Sequence, residues 1–213
     1  MKKIILIFIS ILFVNVIFCQ VVDKKAVAIL KQLSEKTTSY SSIKIEFTYT
    51  MYNKEENIKE SLDGILYLKG DKYWLKFMEQ IVISDGKTNW AYNADAEEVQ
   101  ITEVDPKDES SNPAKLLTSY DKNYKSKLIK EKVENGIMVQ TVDLVPLKGK
   151  SFYKIRLKIN KSKKQIIKSI VYDKNNTIFI YNVKKFIPNL KISDTKFTFN
   201  KTKYPDVEVI DLR

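Results

Sequence analysis

Alternation of apolar and polar residues is the dominant pattern along this chain. It is cleanest over 43–51, where every second residue is apolar: Ile43, Ile45, Phe47, Tyr49 and Met51. A period of two places such residues on one face of a half-buried β-strand. The same period recurs over 62–68, 73–77 and 153–159. Further strands are predicted over 81–84, 88–92, 99–104, 137–145, 165–172, 177–186 and 196–199.

Turn-forming sequences separate these runs. They include Lys69-Gly70-Asp71, Ser84-Asp85-Gly86, Glu134-Asn135-Gly136 and residues 173–176. About ten or eleven short strands joined in this way predict a mainly β (α+β) fold with one antiparallel sheet. A sheet this wide tends to curl or close, so we expect an incomplete β-barrel.

Two segments show helical periodicity instead. The first runs from Asp23, which can cap, to Thr38, and its apolar residues recur at three- and four-residue spacing: Ala26, Val27, Leu30 and Leu33. The second begins at Asn112 and Pro113, a cap followed by a residue suited to the first helical position. Leu116, Leu117 and Tyr120 share one of its faces. Both helices are predicted to cover the apolar face of the sheet.

The N-terminus has the form of a secretory signal. Lys2 and Lys3 precede an apolar run over 4–18 that ends at Cys19, a run too short for a confident membrane span. We expect residues 1–19 to be a signal peptide and residues 20–213 a single domain. The alternative, a lipid-modified Cys19, is disfavoured because Phe18 stands where lipoprotein signals need a small residue.

Composition narrows the chemistry. The chain has no His and one Cys, so Ser-His-Asp and Cys-His sites are excluded, and no thiol remains if Cys19 is removed. A site built from carboxylates stays formally open, but no motif brings such groups together. We therefore predict a binding protein with no enzymatic activity, no cofactor and no metal site.

The charge is strongly positive. The net charge of +11 falls to +9 without Lys2 and Lys3, and residues 146–172 contain nine Lys or Arg and no acid. In an exported protein this does not indicate nucleic acid, and Lys154, Arg156 and Lys158 alternate as on the solvent face of a strand. Attraction to anionic headgroups or to an acidic partner remains open.

Three short motifs follow one another along the chain. The first is Ser84-Asp85-Gly86-Lys87-Thr88 followed by Trp90, Tyr92 and Asn93. The second is Asn112-Pro113 before Leu116-Leu117, at the start of the second predicted helix. The third consists of Phe197-Thr-Phe199 and the sequence from Pro205 to Arg213. In this order the motifs resemble those of the outer-membrane lipoprotein carrier family of LolA type, and the resemblance covers essentially the whole mature chain.

The resemblance implies an incomplete β-barrel whose apolar inner face binds acyl chains beneath a helical lid. The lipid-binding residues would be Ile45, Phe47, Tyr49, Met51, Leu66, Leu68, Tyr73, Leu75, Phe77, Trp90 and Tyr92. The lid would use Leu30, Leu33, Leu116 and Leu117. The same aromatic and aliphatic residues would look alike in a closed core, and Trp90 and Tyr92 could equally be cross-strand packing residues.

One departure concerns control of the lid. The family commonly has an Arg-Pro pair after the second main strand, and its arginine is associated with latching the lid, whereas this chain has Lys69-Gly70. Lysine lacks the planar five-donor fork of arginine. Lys69 is thus either a weaker latch or simply the end of a strand at a turn, and the second interpretation is favoured.

The implied function is lipoprotein transport in the periplasm. The resemblance points to acylated lipoproteins as cargo, an inner-membrane ATP-binding-cassette complex as donor and an outer-membrane acceptor. No nucleic acid is expected, and we expect a monomer. The alternatives are a lipid-anchored acceptor or an envelope-stress sensor of the same fold, and a glycan-acting enzyme that uses carboxylates.

Overall fold

Twelve β-strands form one sheet in the computed structural model, which describes residues 23–53, 55–105, 120 and 123–213. Helix α1 spans Lys24–Thr38. The strands are β1 (Ile43–Asn53), β2 (Ile58–Lys69), β3 (Lys72–Phe77), β4 (Gln80–Ser84), β5 (Thr88–Asn93), β6 (Glu98–Glu103), β7 (Tyr124–Glu134), β8 (Ile137–Pro146), β9 (Phe152–Asn160), β10 (Gln165–Asp173), β11 (Thr177–Pro188) and β12 (Glu208–Asp211). The predicted signal peptide 1–19 with Cys19, and the predicted helix with Asn112, Leu116 and Leu117, lie outside the described residues.

The sheet is open. Its strand order is β12-β6-β5-β4-β3-β2-β1-β11-β10-β9-β8-β7, so β12 and β7 lie at opposite edges. Neighbouring strands pair antiparallel throughout, except that β12 runs parallel to β6. The prediction of one wide, mainly antiparallel sheet is confirmed. The pairing of β1 with β11 joins the N-terminal meander to the C-terminal meander.

The turns form where the sequence predicts them. Gly70, between β2 and β3, has φ of 59°, and Gly86, between β4 and β5, has φ of 93°. Both values lie in the left-handed region, which glycine enters without a steric penalty. These tight connections fix the register of successive strands, and register decides which side chains share a face.

Two strands were not predicted, and one predicted strand is wrong. β7 escapes the alternation pattern because its register shifts between Leu128 and Lys130. β12 is only four residues long and pairs through a remote strand, so it has little local signal. The predicted strand over 196–199 does not form: residues 196–197 end a 3-10 helix, Asp194–Phe197, and residues 198–199 lie beyond it. Ser193 caps this helix by accepting from the N–H of Thr195.

Helix α1 begins as predicted, and its cap also reaches the sheet. One carboxylate oxygen of Asp23 accepts from the N–H groups of Lys25 and Ala26, both at 3.0 Å. The other accepts from the N–H of Leu128 in edge strand β7 at 2.8 Å. Asp23 therefore fixes the start of the helix and its position on the sheet.

One face of α1 forms a core with the C-terminal half of the sheet. Ala26, Leu30 and Leu33 are buried, as predicted. They join a cluster with strands β8 and β9, whose buried members are Val142, Leu144, Leu157 and Ile159, together with Tyr120. Val27 was predicted on this stripe, but it is 38% exposed because it lies about a quarter of a turn around the helix from the line through Ala26, Leu30 and Leu33. In the described part of the chain, no helix is long and apolar enough to cross a membrane.

We expect Asp23→Ala to reduce the free energy of unfolding at neutral pH by about 1–2 kcal/mol, the range for a lost helix cap. The N–H groups of Ala26 and Leu128 lower the pKa of Asp23 from its ordinary value of 3.8. A lowered folded-state pKa adds stability above the unfolded value, and that stability is lost as pH falls through the folded value. The difference between Asp23→Ala and wild type in urea denaturation should therefore narrow below about pH 4.

Glu35→Ala provides the matched control. Glu35 is an exposed acid on the same helix, and its carboxylate lies 3.8 Å from the amine of Lys31. Removing an exposed pair of this kind should change stability by less than about 0.5 kcal/mol. Equal losses for the two variants would contradict the role assigned to Asp23.

Candidate functional site

An apolar surface covers one face of strands β1 to β4 and β11. The pairing register places Ile43 opposite Leu68, Ile45 opposite Leu66, and Leu66 opposite Leu75. Nine of the eleven predicted lipid-binding residues share this inner face: Ile45, Phe47, Tyr49, Met51, Leu66, Leu68, Tyr73, Leu75 and Phe77. The lipid-binding residues predicted from the sequence did not include six other members of the same cluster: Tyr40, Ile43, Val82, Phe179, Val183 and Phe186.

The inner-face residues of β11 were not predicted, although the strand itself was predicted from the sequence. Residues 177–186 were recognised as a strand, but its inner face depends on its partner. A register shift between Glu46 and Phe47 pairs Phe47 with Val183 and Tyr49 with Tyr181. Because the side-chain period of a strand is two, only this long-range register tells which β11 residues face inward.

The inner face continues beneath α1, but the helix covers only its far half. Leu30 and Leu33, the predicted lid residues within the described chain, pack on strands β8 and β9. The described residues packed around Phe47 come from strands, with Tyr40 just before β1. The structure thus brings the nine inner-face residues together and places Leu30 and Leu33 in a different cluster.

Phe47 has its position because residue 64 is glycine. These residues are directly opposite each other in β1 and β2. A Cβ added to Gly64 would lie 2.3 Å from the Phe47 ring, closer than real Cβ atoms approach. The ring therefore occupies the space above the β2 backbone, with ring-centroid distances of 6.1 Å to Phe77 and 6.2 Å to Tyr181.

Tyr49 is the centre of an aromatic group on this face. Its ring meets Phe77 edge-on at 4.9 Å and lies 5.3 Å from Tyr181 and 6.2 Å from Phe179. Burial raises the pKa of both the Tyr49 and Tyr181 hydroxyls, so they stay protonated at neutral pH. The surface therefore offers aromatic and aliphatic groups with neutral phenols.

Trp90 and Tyr92 are on the opposite face, so their predicted place in the same cavity is wrong. Trp90 pairs with Ile83, and Tyr92 pairs with Ile81, whereas inner-face Val82 pairs with Ala91. Tyr92 packs against the C-terminal segment, with ring-centroid distances of 4.4 Å to Tyr204 and 6.0 Å to Phe199. The alternating pattern in β5 does not reveal which of its two faces points inward.

The Ser-Asp-Gly-Lys-Thr motif is a turn between β4 and β5. Asp85 accepts from the N–H groups of Lys87 and Thr88, both at 2.8 Å. The buried Ser84 hydroxyl donates to the Thr88 carbonyl at 3.1 Å and accepts from the N–H of Gly86. These side chains form hydrogen bonds with backbone groups of the same turn, so the motif stabilises the hairpin between β4 and β5.

Lys69 lies at the end of a strand beside a turn, and it holds the C-terminal segment. It is the last residue of β2, and its amine donates to the Ile192 carbonyl at 3.1 Å and to Asp194 at 3.0 Å. Lys72 donates to the same Asp194 oxygen at 3.1 Å. Two cations lower the pKa of Asp194. In the described chain these contacts connect Lys69 to the segment after β11, and α1 is not involved.

Gly64→Ala should displace the Phe47 ring from the inner face. We expect a loss of about 1–3 kcal/mol in the free energy of unfolding, which is usual when extra atoms are forced into a packed site. The displaced ring should also alter the near-ultraviolet circular dichroism spectrum. Gly149→Ala is the matched control, because a Cβ there meets no atom within 4 Å. A Gly64→Ala protein with wild-type stability and spectrum would contradict this packing.

The comparisons with known proteins agree with this architecture. The model of the family described as "Outer membrane lipoprotein carrier protein LolA" matches residues 38–200. The chain is 26% identical over 182 residues to an outer-membrane lipoprotein carrier protein from Coxiella burnetii, covering 83% of this chain and 84% of that protein. In fold it is similar to an uncharacterized conserved protein from Thermus thermophilus, with a TM-score of 0.62 at 13% identity, covering 88% of this chain and 99% of that one. With the family match extending over most of its length, this chain belongs to the LolA outer membrane lipoprotein carrier family.

Proposed function

We propose that this protein is a periplasmic carrier that holds the acyl chains of lipoproteins against the inner face of β1 to β4 and β11. The observation that carries the proposal is the inner-face cluster around Phe47 and Tyr49, nine of whose members lie at positions expected for lipid contact. Family membership supports lipoprotein as the cargo. Residues 1–19 would direct export and be removed after Cys19.

Acyl chains need an apolar binding surface if they are to cross an aqueous compartment. Each acyl methylene exposed to water costs about 0.8 kcal/mol, so lipoprotein chains do not cross an aqueous compartment unaided. The inner face offers side chains of the right kind, because the Tyr49 aromatic group and aliphatic residues such as Leu66 and Leu75 supply contact without a charge. Binding needs no bond to be made or broken.

The two halves of the inner face would have different tasks. Beneath α1, Leu30 and Leu33 are 3% or less exposed and are packed as a permanent core. Around Phe47, the wall is built from rings that pack on one another, and Tyr181 is still 37% exposed. Acyl chains would enter this second half by moving between the rings, which can change rotamer without breaking backbone hydrogen bonds.

Transport direction would come from partners. We propose that an inner-membrane ATP-binding-cassette complex loads the carrier and that an outer-membrane acceptor with greater affinity for the acyl chains receives them. A carrier without a nucleotide site can move cargo only through differences in affinity between its states. The energy of release from the inner membrane would then be supplied by the complex.

Met51→Glu tests the site, with Tyr52→Glu as the matched control. The two residues are adjacent in β1, but Met51 belongs to the inner-face cluster, whereas Tyr52 lies on the opposite face and is 36% exposed. A carboxylate at position 51 must be desolvated beside acyl chains, so we expect at least about a tenfold loss of bound lipoprotein, corresponding to about 1.4 kcal/mol. Tyr52→Glu should retain binding.

The measurement is native mass spectrometry of protein purified from the periplasm while delivery to the outer membrane is blocked. Wild type and Tyr52→Glu should carry a lipoprotein, and Met51→Glu should be largely empty. Thermal unfolding of each variant verifies that it is folded. Reproducible absence of lipoprotein from wild type would overturn the proposed function, whereas equal loading of the two variants would overturn only the proposed site.

A further inference from the structure

The hairpin between β8 and β9 exposes apolar side chains. We define the β8–β9 tip as residues 145–154. Within it Val145, Leu147 and Tyr153 are 47%, 53% and 49% exposed. The N–H of Leu147 donates to the carbonyl of Asn123 at 2.9 Å, which fixes the loop beside the start of β7. The tip thus displays apolar groups from an anchored backbone.

Lysines surround these apolar groups. Lys148 and Lys150 are exposed in the loop, and Lys125 pairs with Val145 across the β7–β8 ladder. The amine of Lys154 lies 4.0 Å from the ring centroid of Tyr172 and 5.8 Å from that of Tyr153. Residues 144–172 include no acid, and the carboxylate of the next acid, Asp173, accepts from the N–H of Asn175 at 2.8 Å.

Other cations of β9 are neutralised locally. Arg156 makes two hydrogen bonds to Asp143, at 2.6 and 2.8 Å. Lys158 lies 2.7 Å from a carboxylate oxygen of Glu134. Within the described chain, by contrast, neither Lys125 nor the three lysines of the tip, Lys148, Lys150 and Lys154, form an ion pair with a carboxylate. Among the described residues, the lysines of the β8–β9 tip that have no carboxylate partner therefore lie where apolar groups are also exposed.

This combination is typical of a membrane interface. Lysines attract anionic headgroups, tyrosine rings are favoured at headgroup level, and an aliphatic side chain such as Leu147 gains free energy by leaving water. A soluble acidic protein would use the same charge but would need apolar pockets that match Leu147 and Tyr153, whereas the headgroup region of a fluid bilayer accommodates such side chains without a matching pocket. We propose that the β8–β9 tip docks the protein on the surface of an anionic phospholipid bilayer.

In the docked state Leu147 and Tyr153 enter the headgroup region, and Lys148 and Lys150 contact lipid phosphates. Such contact is shallow and reversible, because each lysine contributes a modest, salt-screened attraction. This docking does not depend on the identity of the cargo or on the inner-face site. It would raise the residence time of the carrier at the membrane where partners are found.

Vesicle flotation of the purified mature protein tests the proposal directly. Wild type should float with phosphatidylcholine vesicles containing about 30% phosphatidylglycerol and not with phosphatidylcholine alone, and high salt should release it. Lys148→Glu with Lys150→Glu should weaken the binding by about tenfold or more. Lys163→Glu with Lys164→Glu is the matched control, since it makes the same charge change in the exposed turn at the other end of β9.

The control should retain binding to within about threefold of wild type, because long-range attraction alone is screened within about 10 Å. Equal losses in the two double variants would show a general charge effect and overturn the proposal. Wild type that binds neither kind of vesicle would overturn it too, and would leave an acidic protein as the occupant of the tip. Circular dichroism of each variant verifies folding.

Leu147→Trp supplies a second readout that does not depend on charge. Its fluorescence, corrected for Trp74 and Trp90 with the wild-type spectrum, should shift to the blue on anionic vesicles and be quenched by brominated lipid. Lys163→Trp should show neither change. A Leu147→Trp emission that is unaltered by vesicles would overturn insertion at the tip. Because no lipoprotein is present, failure here leaves the proposed carrier function untouched.

Discussion

Everything in this molecule depends on the burial of one apolar face of a sheet that does not close on itself. With β12 and β7 at opposite edges, no second layer of strands in the described chain covers the inner face. There α1 covers one half, through Leu30 and Leu33. The other half relies on aromatic rings packed against one another, as where Tyr49 meets Phe77 at 4.9 Å. A wide sheet with a short cover thus provides both a core and a surface suited to acyl chains.

The opposite face of β3 to β6 is covered by the segment that follows β11. Phe197 and Val99 are fully buried, and Tyr92 packs with Phe199 and Tyr204. The amine of Lys196 lies 4.1 Å from the Tyr67 ring centroid and 4.0 Å from that of Trp74. Burial lowers the pKa of Lys196, and the two rings offset part of its desolvation. This half of the sheet is therefore covered on its outer side, behind the inner face that carries Leu66 and Leu75.

Charged side chains, mostly lysines, line an edge of the sheet and part of its outer surface. Edge strand β7 carries Lys125, Lys127, Lys130 and Lys132, and lysines on an edge oppose pairing with another chain. One backbone N–H of this strand, that of Leu128, donates to the helix cap Asp23. On β9, Arg156 and Lys158 are paired with acids, whereas no described carboxylate pairs with the lysines at the β8–β9 tip. The same excess of lysine therefore has a structural role in one place and suits a membrane surface in another.

Local sequence by itself determined much of this fold. Alternation in 43–51 predicts β1, Asp23 predicts the start of α1, and Lys69-Gly70 predicts a turn, because periodicity, capping and left-handed φ are properties of neighbouring residues. The membership of the inner face was predicted for nine residues, since alternation groups residues of one strand correctly. Only the tertiary structure decided that Trp90 and Tyr92 face outward, that Lys69 holds the C-terminal segment, and that β12 pairs with β6. These outcomes depend on register and on contacts between residues far apart in the chain, and a period of two is identical for both faces of a strand.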